Sequence, residues 1–256
     1  MTKTTSPVRV TSATLKIVAL VTMTLDHIGH VFAMQLVFGA HPAAWLYYTL
    51  RTVGRVAFPL YAFLLSEGCR YTKNIKSYLL RLAVFAAVSE IPYNLASART
   101  LSYPKGQNVF FTLFLGLCAC YIVRLLEENN KNILWSIPVT ALLCASAWFL
   151  ATDYAWYGVL FVWLCCVTKK LPAAACFGIL AVGLLLIAKP WDIFIHHGAQ
   201  SYIDNSARQF FGSLVALVLM ALYNGQKGKL RMHKYFFYAY YPAHLLILWL
   251  LLQLLF

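Results

Sequence analysis

Asp26 and His27 stand side by side in the apolar run 16–38 (KIVALVTMTLDHIGHVFAMQLVF). Arg51 and Arg55 lie four apart in the next run, TLRTVGRVAFPLYAFLLSEG, and His244 interrupts the last. These are residue types for proton transfer and anion stabilisation. An imidazole titrates near neutrality and serves as a general base, whereas a guanidinium keeps its charge under essentially all conditions. A lone Asp or Arg at mid-bilayer costs about 2.5–3.5 kcal/mol, so such groups pair, or face a polar cavity, and mark function.

Helical spacing constrains the partners. Asp26 and His30 share a face, while His27 points about 100° away from Asp26. Adjacency therefore does not make Asp26 and His27 a dyad. Asp26 can reach Arg51 or Arg55 across a helix interface, which leaves His27 facing a cavity as a general base or packed against a neighbouring helix. The two arginines could hold an anion, or form structural ion pairs with Asp26 or Glu90. Pro59 predicts a kink that frees the Arg55 carbonyl.

Glu67, Arg70, Lys73 and Lys76 gather where the second run ends, a place for a phosphate-bearing ligand, for anionic lipid or for an orientation signal. Glu90, Asn94, Asn108 and Thr112 either line an outer vestibule or bond helices together. Tyr241, Pro242 and His244 join a helix breaker to a buried histidine. His196, His197, Asp192 and Asp204 match no ligand spacing, and no metal is expected. The seven cysteines contain no CxxC pair and read as small apolar residues.

The elements that must position these groups are about nine transmembrane helices: 16–38, 45–67, 77–97, 108–126, 133–151, 154–168, 171–188, 209–224 and 235–256. Most of the 21 lysines and arginines then fall on the side of the N-terminus. Only Arg99, Lys105, Lys189 and Arg208 fall opposite, which predicts an inside N-terminus. Asp26 and His27 come ten and eleven residues after Lys16, about 15 Å deep. Arg55 and His244 reach a similar level from their own helices, so one cluster is expected.

Composition agrees with this class. The chain is 61% hydrophobic and 11% charged, with mean hydropathy +0.69, far from the balance of a soluble domain. Its net charge of +13 sits in short gaps between apolar runs, so it reads as topology and not as nucleic-acid binding. The polar start is no cleavable signal. Residues 1–15 are expected as a cytoplasmic segment and 16–256 as one acyltransferase-like all-α domain, a polytopic bundle in a bacterial-type cytoplasmic membrane. No motif fixes an oligomeric state.

The motifs DH, RxxGRxAFPLxAFLLSEG, YLLRL, SEIPYN, NVFFT and KYFFYAYYPAH, in this order from about 16 to 250, resemble the TraX family. Its best-known members N-acetylate the pilin of conjugative plasmids. Asp26 and His27 match the family's DH, Arg51, Arg55 and Pro59 its RxxGRxxFP, Glu67 and Gly68 its EG, and Tyr241, Pro242 and His244 its YPxH. The resemblance implies a membrane acetyltransferase drawing on cytoplasmic acetyl-CoA, and it is similar to transmembrane acyltransferases with a membrane-embedded catalytic histidine.

The expected enzyme places His27 as base, Asp26 as orienting charge, and Arg55 or His244 on the oxyanion. Arg70, Lys73, Lys76, Arg51 and Glu67 are expected on the acetyl-CoA side. His30, Glu90, Asn94, Asn108 and Tyr241 face an amine or hydroxyl acceptor from outside. A proton-coupled transporter built on the same buried charges, or a scaffold locked by them, are the rival readings.

Overall fold

A computed structural model describes residues 10–39, 42–168, 207–229 and 235–256. The expected helix 171–188 and the segment holding Asp192, His196, His197 and Asp204 lie outside these. The described residues form helices α1 (Ser12–Val31), α2 (Ala33–Phe38), α3 (Ala44–Gly54), α4 (Ala57–Tyr71) and α5 (Ile75–Ala98). They continue with α6 (Val109–Glu128), a 3-10 turn (Ile133–Trp135), α7 (Ser136–Phe149) and α8 (Ala155–Val167). Then come α9 (Ala207–Ala221) and α10 (Phe236–Leu255). No strand ladder occurs among the described residues, only two isolated bridges.

Local capping explains several boundaries. The Thr11, Asn74 and Asn108 side chains accept from amides in the first turns of α1, α5 and α6, satisfying donors that a helix start leaves open. Three helices, α5, α6 and α10, are long and apolar enough to cross a membrane. Phe38, Trp45, Trp135, Phe149 and Leu254 point outward, an apolar exterior that calls for lipid as solvent. The chain is thus an all-helical, membrane-associated protein.

Two expected helices are each broken. The first ends at Phe32 and restarts as α2. The second, read as 45–67, breaks at Arg55 and Val56, whose amides bond three residues back to Thr52 and Val53. Pro59 therefore lies in the first turn of α4, where the helix start leaves amides without intrahelical acceptors and a missing N–H costs little. The break instead releases the Arg51 carbonyl, and Arg55 Nε donates to it at 3.3 Å.

The core runs along α4 and α6, where Leu60, Ala62, Leu117 and Val123 are fully enclosed. Small residues let backbones approach: a Cβ at Gly116 would press on Val162 of α8 at 2.8 Å. α1 packs between α3, α4 and α10, and this position decides the site.

Candidate functional site

Asp26 and His27 leave α1 toward different neighbours. Arg51 Nη1 donates to Asp26 Oδ2 at 2.7 Å, and Arg55 Nη2 donates to Oδ1 at 2.9 Å. One carboxylate thus bridges two guanidinium groups across the α1–α3 interface, where charge-assisted bonds are strong. Gly54 makes the approach possible, because a Cβ there would overlap the Asp26 side chain. The two cations exceed one anion, and Asp153, in the turn between α7 and α8, acts electrostatically on Arg55. Tyr154 beside it stacks on Phe58 with ring centroids 3.6 Å apart. The arginines are thus used in a paired cluster, and neither is aimed at the histidines.

His27 turns toward α10. Its Nδ1 lies 2.7 Å from Nε2 of His244, whose own Nδ1 lies 2.8 Å from the Tyr240 carbonyl. A carbonyl only accepts, so His244 Nδ1 carries the proton. In the neutral pair His244 Nε2 is then an acceptor, and His27 Nδ1–H donates to it. Among the described residues, no hydrogen bond then engages the lone pair of His27 Nε2. The Tyr240 ring stacks on His244, and its hydroxyl is 2.8 Å from Thr24 Oγ1, which itself donates to the Leu20 carbonyl. The chain is therefore anchored at both ends.

Tyr241 contacts both imidazoles, each at 5.7 Å between centroids, and also lines a cavity of about 450 Å³. The cavity follows α1 past Met23 to Lys16 and is closed by Arg81 of α5 and Lys227. Sequence reading gave these three cations only a topological role.

The remaining expected residues divide. Arg70 donates to Glu67 at 2.7 Å and to the Cys165 and Cys166 carbonyls, so it ties α4 to α8. It lines a second cavity of about 400 Å³ with Arg124. Lys73 and Lys76 are exposed and line neither cavity. Asn108 donates to Glu90 at 2.6 Å and to the Ala86 carbonyl at 2.8 Å while capping α6, the helix-bonding alternative. Asn94 is buried against Leu101, and His30 is exposed on α1. Among the described residues, no group of three or more His, Cys, Asp or Glu is arranged to hold a metal ion.

Asp153, Tyr154, Thr24 and Tyr240 escaped sequence reading. Asp153 is close enough to act electrostatically on Tyr93, Tyr157 and Tyr241 as well as on Arg55. An acid flanked by aromatic residues in TDYAWYG was the available signal.

Fold and site together define a helical membrane protein with a half-buried ion cluster and a histidine chain that Tyr241 joins to a cavity. The chain belongs to the TraX family, matching the description "TraX protein" over residues 11–252. It is similar to the "Probable fimbrial assembly protein FimC, serogroup H1" of Dichelobacter nodosus, with 28% identity over 245 residues, 91% of this chain and 92% of the relative. No solved structure matches it.

Proposed function

We propose that the protein is a multi-pass acetyltransferase of the cytoplasmic membrane, with about nine spans and its N-terminus inside. It moves an acetyl group from cytoplasmic acetyl-CoA to an amine or hydroxyl that enters from the outer side. The observation that carries this reading is the chain His27–His244–Tyr240, joined through Tyr241, which contacts both imidazoles, to a cavity of about 450 Å³. A relative described as a fimbrial assembly protein makes a pilin-like N-terminus a fitting acceptor.

Acetyl-CoA supplies an activated acetyl carbon and a thiolate leaving group. His27 Nε2 takes the proton of the acceptor N–H or O–H as the new bond to the acetyl carbon forms, and returns it to the sulfur as the C–S bond breaks. His244 is a positioning residue: its Nε2 holds the His27 Nδ1 proton and so fixes the tautomer that presents Nε2. This differs from the oxyanion role expected for His244, because both of its ring nitrogens are already engaged. Asp26 holds Arg51 and Arg55, and its part is to fix α1 against α3.

The test is acetyl transfer by purified protein in lipid nanodiscs, with radiolabelled acetyl-CoA and a pilin-like peptide or envelope extract. Incorporation that disappears in His27→Ala, with the variant eluting like the wild type, supports the enzyme. Full incorporation in that variant sinks the mechanism. Proton-coupled flux in liposomes with no transfer favours a transporter.

A further inference from the structure

Lys16, Arg81 and Lys227 come from three separate parts of the chain to one end of the 450 Å³ cavity. Lys16 and Lys227 are close enough to repel each other, and among the described residues no Asp or Glu lines the cavity. Like charges held together without a carboxylate call for an anion between them. Their other contacts are aromatic: Lys16 lies 5.8 Å from the Phe237 ring centre and Arg81 5.5 Å from that of Tyr78. These contacts orient the cations without adding an anionic partner.

Away from the cations the wall turns apolar, with Leu65, Met23, Leu113 and Phe110 leading to Tyr241. Lys16 and His27 are eleven residues apart, just over three turns, so they share one face of α1 with about 16 Å between them. Met23 lies one turn short of His27 on that face. The cavity thus joins the cations, along a largely apolar wall, to Tyr241, whose ring contacts both imidazoles. A polyanionic head with a long, weakly polar arm ending in a reactive group fits this shape, whereas the second cavity sets Glu127 and Glu128 beside Arg70 and Arg124, a poorer fit to the same ligand.

We infer that this cavity is the coenzyme A site: Lys16, Arg81 and Lys227 hold the phosphates, and the pantetheine arm runs along α1 past Met23 to Tyr241 and His27. The inference rests on the acetyltransferase reading. It moves the phosphate contacts away from Arg70, Lys73 and Lys76, which the structure does not gather on this cavity.

The test is equilibrium binding of coenzyme A itself to protein in nanodiscs of neutral lipid, read apart from turnover. Lys16→Gln, Arg81→Gln and Lys227→Gln should each weaken binding about three- to tenfold, and the triple variant far more, with the loss shrinking as salt is raised. Lys131→Gln, an exposed charge distant from the cavity lining, serves as the matched control and should bind like the wild type. Pantetheine, which lacks the nucleotide phosphates, should bind all variants alike. Gel filtration and unaltered melting show that the variants fold.

Wild-type affinity in the triple variant, with loss confined to Lys73→Gln/Lys76→Gln, overturns the inference and leaves the enzyme reading standing. A triple variant that changes only the retention of anionic phosphatidylglycerol, and not coenzyme A affinity, makes this a lipid site and likewise overturns it. No coenzyme A binding by the wild type overturns both.

Discussion

Asp26 and His27 are neighbours in sequence with opposite economies. Asp26 sits in a closed cluster, both carboxylate oxygens taken by Arg51 and Arg55 at 2.7 and 2.9 Å. His27 begins an open chain, with one nitrogen bound to His244 and the other without a hydrogen bond among the described residues. Buried ions are costly unless paired, so the first arrangement spends its polarity on holding helices. A neutral imidazole is cheaper to bury, and its spare lone pair remains available for chemistry. On the proposed reading one position on α1 serves structure and the next serves reactivity, because a 100° step sends them to different helices.

Exchanging the two roles by mutation gives the largest effects. His27→Ala should lower acetyl transfer by about 10²–10⁴-fold while leaving melting in detergent close to wild type; both are read on one preparation. Asp26→Asn should do the reverse in order. It leaves two buried guanidinium groups facing each other, at a cost of about 3–5 kcal/mol, seen as lost monodisperse protein or a lowered melting midpoint. Adding Arg51→Gln to Asp26→Asn should recover part of that stability. If Asp26→Asn folds normally and fails only in turnover, the division between the two neighbours is wrong.

Sequence reading reached this division in part. Buried charges must find partners, and helical angles separated Asp26 from His27, so the Asp26–arginine pairing was legible. The family was legible too, from short motifs in fixed order. The common depth of Asp26, His27, Arg55 and His244 suggested one cluster, whereas the structure holds two, because depth along a helix carries no information on azimuth between helices. Asp153 was invisible for a related reason: its approach to Arg55 depends on how α8 lies against α4. The break at Arg55 was hidden behind Pro59, a breaker that sits harmlessly in a first turn. The cations of the cavity looked like topology signals, since single positive charges at helix ends serve both purposes.

Smaller effects sharpen the comparison. His244→Ala should lower transfer about tenfold to a hundredfold, the cost of leaving the His27 Nδ1–H unpartnered, with coenzyme A affinity unchanged. His244→Gln restores an acceptor and should regain part of the rate. Equal loss in both variants, with altered coenzyme A binding, would make His244 a packing residue.

Gly54→Ala probes the opposite side of α1 with the mildest change. Its added methyl meets the Asp26 side chain directly, and overpacking of this kind costs about 1–3 kcal/mol. The carboxylate has to move, so the Arg51 and Arg55 bonds lengthen and the melting midpoint falls. His27 faces α10, roughly a quarter-turn away, and its bond to His244 should survive. Transfer measured well below the lowered midpoint should therefore stay within a few-fold of wild type. A collapse of activity out of proportion to the lost stability would mean that the ion cluster steers His27 continuously, and the two neighbours would then be one site.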